Sequence, residues 1–248
     1  MDRIQTCTIL RINGTHISKE EDPVASEAEL AVFVNNRLEA VLLCSPGDTR
    51  ALVAGYLYAK GLISDCNQIQ TLNIQEADFR LSAFAELDSA SDPQKQKSAS
   101  EAPMLFFHDI NTLANQVLAG SENFRSTGAF HICAICKGAE ILTCCEDISR
   151  HCALDKALGT ALLRGISFEG TCVITSGRVP TDWLNKVHTA GIRAVLSRSA
   201  PTAAAIEFAK MHNMILCGFV RGQRCNLYSG TLIEAEQKII SPKASMLP

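Results

Sequence analysis

Residues 171–219 read TCVITSGRVPTDWLNKVHTAGIRAVLSRSAPTAAAIEFAKMHNMILCGF, and their rhythm decides the fold. Three short apolar runs, Thr171–Thr175, Ile192–Leu196 and Met214–Phe219, have the length and composition of buried strands. Between them lie two stretches of helical periodicity, Thr181–Ala190, stopped by Gly191, and Thr202–His212. A further strand is expected at Cys225–Tyr228. Strands that alternate with helices imply a largely parallel sheet covered on its faces.

Upstream of this run, His131–Ile135 and Glu140–Thr143 read as strands around Lys137-Gly138. Then comes EDISRHCALDKALG, residues 146–159, the densest group of ionisable side chains in the chain. Leu154, Leu158, Ala161 and Leu162 recur at helical spacing, which predicts one helix with a buried stripe. Asp147, His151 and Asp155 lie four apart on another stripe of that helix or its first turn. A histidine held between carboxylates is pinned in tautomer and charge, and helix N-termini bind anions through free N–H groups. The plainer alternative is a solvated face with incidental i,i+4 pairs.

The first third reads as a small α+β unit. Leu30–Val34 and Leu38–Cys44 flank Asn35-Asn36-Arg37, a hairpin signal. Asp48 then caps a helix in which Leu52, Tyr56 and Ala59 face one way, ending at Gly61. Strand-like pieces occupy 67–87. Residues 88–102, DSASDPQKQKSASEA, hold no large apolar side chain and read as a mobile loop. A helix over Ile110–Leu118 follows. The expected organisation is a small α+β domain over 1–105, ending in that loop, and an α/β domain over 106–248.

The chain has 248 residues, 47% hydrophobic and 20% charged, with a formal net charge of −3. That balance argues against a general nucleic-acid or membrane-surface binder. No apolar run approaches the ~18 residues of a spanning helix. Met1-Asp2-Arg3-Ile4 shows no charged-then-apolar signal pattern, so a cytoplasmic location is expected. The eleven cysteines are an odd number, which does not suggest a disulfide framework. Five of them crowd into 133–152. Cys133-x-x-Cys136 has redox or zinc spacing, and these two are the candidate sulfur-bearing thiols, with plain structural thiols as the leading reading. In extended backbone, however, their sulfurs would face opposite ways. No metal is expected.

Ligands of an open parallel sheet bind beyond the carboxyl ends of its strands. Three loops leave such ends: Ser176-Gly177-Arg178, Ser197–Thr202 and Arg221-Gly222-Gln223-Arg224. Each carries Arg. In a chain of net negative charge, Arg178, Arg198, Arg221 and Arg224 at one edge point to an anionic ligand, because the guanidinium fork suits phosphate. Independent surface arginines are the alternative.

Thr127-Gly128-x-x-His131, Glu146-Asp147-x-x-Arg150-His151-x-Ala153-Leu154-Asp155-Lys156, Ser176-Gly177-Arg178, Ser199-x-Pro201-Thr202 and Gly218-Phe219-x-Arg221 occur in that order. Together they resemble the FdhD/NarQ family, from about Val24 to Tyr228. The resemblance implies a cytidine-deaminase-like sheet covered by helices in the second domain, and a homodimer. It implies a formate dehydrogenase accessory protein that carries sulfur from a cysteine desulfurase to the molybdenum bis-guanine-dinucleotide cofactor of a formate dehydrogenase. The family's cofactor-binding stretch falls on Phe219, Val220, Arg221, Gly222, Gln223 and Arg224, with GDP as a simpler ligand. Two departures are evident. The family's persulfide cysteines belong in a loop within about residues 81–105, and no cysteine occurs here from Asn67 to Ile132. Lys60 stands where an acidic residue is usual. A second reading is therefore a divergent protein that binds cofactor or guanine nucleotide without carrying sulfur. A third, a zinc nucleotide deaminase, lacks its glutamate in His131-Ile132-Cys133 and a proline before the C-x-x-C.

Overall fold

The computed structural model describes residues 1–77, 80–88, 102–234 and 239–242. The loop expected over 88–102 falls outside them except for its two end residues. The chain opens with a ribbon that no expectation covered, β1 (Ile4–Asn13) paired antiparallel with β2 (His16–Ala25). Gly14 takes the positive φ of 62° at the start of the connecting turn. The next hairpin, β3 (Ala28–Val34) and β4 (Arg37–Cys44), turns at Asn35 and Asn36, both at positive φ, as expected.

Helix α1 (Thr49–Ala59) follows Asp48, but the aspartate does not cap it. Its φ of 54° departs from the extended geometry of a capping residue, and its carboxylate pairs with Arg3 instead. Strands β5 (Ile69–Ala77) and β6 (Arg80–Leu87) complete a four-stranded sheet in the order β4-β3-β6-β5. Alternation puts Leu30, Val32, Leu81 and Ala83 into one core cluster with Leu52, Tyr56 and Leu57 of α1.

Helices α2 (Phe107–Ala119) and α3 (Glu122–Thr127) lead into the larger sheet. Its elements are β7 (His131–Lys137), β8 (Glu140–Asp147), α4 (Arg150–Leu163), β9 (Cys172–Thr175), α5 (Thr181–Thr189), β10 (Ala194–Ser197), α6 (Ala203–Met211), β11 (Ile215–Arg221) and β12 (Arg224–Ser229). The order is β12-β11-β10-β9-β7-β8. Here the largely parallel sheet needs correcting. Only the β9–β10 and β10–β11 pairs are parallel; β7–β8, β7–β9 and β11–β12 are antiparallel. Tight turns at Gly138 and Gly222 join two of those pairs, and such turns permit only antiparallel neighbours. One edge therefore collects the ends of β8, β9, β10 and β11 with the starts of β7 and β12. A last short pair, β13 (Leu232–Ile233) and β14 (Ile239–Ile240), follows.

Helix α2 covers one face of the large sheet through Ile110, Leu113 and Val117. Helices α4, α5 and α6 supply Leu154, Leu158, Trp183, Leu184 and Ala205 to the core on the other side. That core is continuous with the one under the four-stranded sheet. The junction is α1 against α4. A Cβ on Gly55 would lie 1.8 Å from the Asp155 carbonyl oxygen, and one on Gly159 would lie 1.8 Å from that of Ala51. Only glycine lets the two backbones approach this closely. Among the described residues, no helix is long and apolar enough to cross a membrane.

Candidate functional site

The charged motif at the start of α4 divides into separate structures. Asp147 and Lys156 are fully buried and paired at 2.7 Å. Ser45, from the loop after β4, completes the group. Its backbone N–H donates to both Asp147 oxygens (3.2 and 3.1 Å) and its hydroxyl to Oδ2 (3.0 Å). Lys156 Nζ donates in turn to the Ser45 carbonyl at 3.0 Å. Glu146 holds α3, accepting from the Ser121 hydroxyl and from Asn123 Nδ2 (2.6 Å). Asp155 accepts from Lys186 at 2.6 Å through one oxygen, while Oδ1 is buried with no hydrogen-bond partner among the described residues. Burial pushes its carboxyl up to about 6 against the pull of Lys186.

His151 is not held between Asp147 and Asp155. Those carboxylates turn inward to Lys156 and Lys186, and the His151 ring lies 3.6 Å from Asp182 on α5. Burial first, then Lys186, pushes its pKa down to about 4, so it is neutral near pH 7.

At the sheet edge, the loops ending β9, β10 and β11 are laced together. Ser197 Oγ donates to the Gly177 carbonyl (2.7 Å), Ser199 Oγ to that of Ser176 (2.9 Å), and Phe219 N–H to that of Ser199 (3.1 Å). Arg221 Nε reaches the Arg198 carbonyl at 3.3 Å. These loops form one wall of a cavity of about 250 Å³, where Arg198 and Arg221 meet His131, Ser176 and Ser199. Leu118, Phe124 and Phe130 line it from α2, α3 and the start of β7. Among the described residues, no acidic side chain lines it.

His131 Nδ1 lies 3.4 Å from Ser176 Oγ. Burial lowers its pKa, with Arg150 and Arg178 adding to the effect, so the ring is neutral near pH 7. Arg150 packs against Gly177, where a Cβ would be 3.0 Å from its own Cβ. Its Nε is buried and has no hydrogen-bond partner among the described residues.

Of the expected cofactor residues, the structure brings Arg198 and Arg221 together, with Arg178 exposed near His131. Arg224 sits opposite Arg221 across the hairpin, and Gly222 and Gln223 form its exposed turn. Phe219 is half-buried at a φ of 52°, unusual for an aromatic residue, and is not part of the cavity wall. Val220 does not face a ligand: it is 1% exposed within the apolar core.

Cys133 and Cys136 are corrected as candidate thiols. Both are completely buried, on opposite faces of β7, because each belongs to a different one of the two core clusters. Burial raises Cys133, and a hydrogen bond with Cys172 followed by burial raises Cys136. Neither meets a partner from outside. Ser45 and Phe124 are support and site residues that no expectation included, and Ser176 and Ser199 were expected only as members of their loops. Ser176 and Ser199 lie in the motifs already quoted, whereas nothing local marks Ser45 or Phe124.

The fold and this edge define a mixed α/β protein with a cationic pocket at the ends of its strands. Comparison with known proteins narrows the class. The profile of the FdhD/NarQ family matches residues 25–104 and 83–232. A sulfur carrier protein FdhD from Listeria monocytogenes serotype 4b (strain F2365) is 33% identical over 256 residues, spanning 93% of this chain and 98% of that protein. The sulfur carrier protein FdhD of Geobacillus kaustophilus (strain HTA426) is 31% identical, spanning 88% and 91%. A crystal structure from Desulfotalea psychrophila, assigned as a formate dehydrogenase accessory protein, shares the fold with a TM-score of 0.79. It is 24% identical and covers 92% of this chain and 98% of its own. The chain belongs to the FdhD/NarQ family.

Proposed function

We propose that this chain is a formate dehydrogenase accessory protein. It holds the molybdenum bis(molybdopterin guanine dinucleotide) cofactor by a nucleotide end at the Arg198/Arg221 pocket and helps deliver sulfur to it from a cysteine desulfurase. The observation that carries the reading is the pocket itself: two arginines and a neutral histidine, with no acid among the described residues that line it, at the edge where strand ends converge. At about 250 Å³ it suits one end of a nucleotide rather than the whole cofactor. The buried, unpartnered Arg150 Nε beside it is the kind of donor that a bound anion satisfies.

The sulfur-carrier and accessory roles are those its relatives are named for, and the finer parts of the reading are proposed with them. A cytidine-deaminase-like sheet, a homodimer and a cytoplasmic setting belong to it. All eleven cysteines are free, including Cys136 directly across from Cys172, which suits a reducing compartment. A second reading, cofactor binding without sulfur transfer, is favoured by the missing cysteines between Asn67 and Ile132 and by the burial of Cys133 and Cys136.

The pocket is tested with GDP. Losing one charge-assisted contact costs about 1.5–3 kcal/mol, so Arg221→Ala should weaken binding roughly 10- to 150-fold by calorimetry. Arg37→Ala, exposed at the start of β4, should leave the Kd unchanged. Equal affinity in wild type and Arg221→Ala, or no binding of millimolar GDP by the wild type, removes this site.

A further inference from the structure

The β11–β12 hairpin carries the Arg221–Arg224 turn at its tip and a pair of thiols along its stem. Cys217 lies opposite Leu227, and Cys225 is two residues from Leu227 on the same strand. Alternation therefore places Cys217, Leu227 and Cys225 on one face. Cys217 belongs to the apolar cluster there, and Cys225 packs against it. Ile132 and Leu118, which wall the pocket, are part of the same assembly. Cys217 is fully buried, whereas Cys225 is only half-buried, so an outside partner can reach the second while the first stands behind it.

From this juxtaposition we infer that Cys225 receives sulfur in this chain and that Cys217 is the thiol that releases it. The inference rests on the sulfur-delivery reading above and supplies the reactive thiol which that reading lacks. A hydrogen bond from Cys217 to Cys225 holds the Cys225 thiol below its ordinary range, while that bond and burial push the Cys217 thiol up, so Cys217 acts only once the persulfide has formed beside it. Several other thiols are pushed the other way. Burial raises Cys44, Cys133, Cys145 and Cys152, and desolvation of its sulfur takes Cys144 up to about 11. A larger thiolate fraction and an open approach are what sulfur exchange requires.

The chemistry balances without an oxidant. The Cys225 thiolate attacks the terminal sulfur of the desulfurase's cysteine persulfide. A new S–S bond forms on Cys225, the old one breaks, and the desulfurase thiolate leaves. Cys217 then attacks the inner sulfur of the Cys225 persulfide. Hydrosulfide departs with the Cys217 proton and with the two electrons given up as Cys217 and Cys225 become a disulfide. Sulfide is thus set free on the hairpin whose tip borders the pocket. An external dithiol restores both thiols by exchange.

The full chain is incubated with cysteine desulfurase and free cysteine, alkylated, and mapped by peptide mass spectrometry, with GDP binding measured on the same preparation. Cys217→Ser should accumulate an adduct of ~32 Da on Cys225, because release is blocked. The wild type should instead liberate sulfide and show a Cys217–Cys225 disulfide, a loss of ~2 Da. Cys225→Ser should take up no sulfur. An adduct on Cys7, Cys66 or Cys144 in its place, or wild-type sulfide release without that disulfide, overturns the inference. GDP binding with no sulfur on Cys225 sinks the thiol pair and leaves the pocket standing. Sulfur on Cys225 with no GDP binding does the reverse.

Discussion

Asp147 ends β8 and pairs with Lys156 of α4, and Arg198 and Arg221 lie across the same sheet edge, yet the two pairs have opposite surroundings. The first pair is dry, 2.7 Å apart, and saturated by Ser45 and the Ser149 N–H. The second pair is exposed and, among the described residues, bonded to no carboxylate. Desolvation of the interior charges is offset only by their mutual contacts, so they have nothing left to offer a ligand. Apart from Arg221 Nε, which bonds the Arg198 carbonyl, no hydrogen bond among the described residues takes up the edge arginines' guanidinium donors. A dense charged motif thus need not mark the binding site. Here it clamps the loop after β4 to α4, and the proposed site is built from sparser residues nearby.

The largest effect should come from breaking that clamp. Lys156→Met leaves Asp147 buried without its cation, which typically costs about 3–5 kcal/mol. Urea unfolding measures it. Asp147→Leu combined with Lys156→Met should cost less than the sum of the single changes, since the pair is coupled. A loss below ~1 kcal/mol for Lys156→Met, together with weakened GDP binding, would move this network from scaffold to site.

Next in size is the junction it secures. Gly159→Ala places a methyl 1.8 Å from the Ala51 carbonyl oxygen, so α1 and α4 must separate. Overpacking of this kind costs about 1–3 kcal/mol or more. Because the core runs unbroken through the junction, a single unfolding transition should persist. Two resolved transitions would show that the halves are less dependent on each other than the clamp implies.

What the sequence made legible follows from whether a cause is local. The helices at 181–190 and 202–212 declare themselves because each buries one stripe and is stopped by a turn signal. The hairpin at Asn35-Asn36 does so through turn chemistry. The arginine loops could be assigned to one edge because alternating strands and helices put successive strand ends together. The β1–β2 ribbon escapes such reading: most of its residues are exposed, so no burial pattern is written into it, and Asn13-Gly14 is its one local mark. Ser45 meets Asp147 across 102 residues, a distance at which no spacing rule operates. Val220 and Cys133 carry the chemistry of a site and the position of a core, and only the packing tells which prevails.

A smaller effect concerns pH. The Asp155 carboxyl is raised to about 6 in the folded chain from an ordinary 3.8, by burial that Lys186 only partly counters. The folded state therefore holds this proton more tightly than the unfolded one. Its contribution is complete below pH ~4 and is lost as pH rises through ~6, with a slope of at most about 1.4 kcal/mol per pH unit. Asp155→Asn cannot titrate. Relative to that variant, the wild type should lose stability between pH 4 and 6 and stay level above 7. Urea midpoints for both proteins across this range measure the difference. A constant offset would mean that Lys186 holds the aspartate ionised throughout.

The smallest expected change is the sharpest check on the contrast. Arg198 is exposed, makes no ion pair among the described residues, and contributes its backbone carbonyl, not its guanidinium, to the loop lacing. Arg198→Ala leaves that carbonyl in place. Unfolding free energy should then shift by no more than about 0.5 kcal/mol, the range of ordinary surface substitutions. Removing one cation from the pocket should still weaken GDP binding about tenfold or more. The two measurements must separate for the edge to be a ligand site rather than a second scaffold. If Arg198→Ala instead lowered stability as Lys156→Met does while GDP binding stayed constant, the edge arginines would be structural, and the distinction between clamp and pocket would fall.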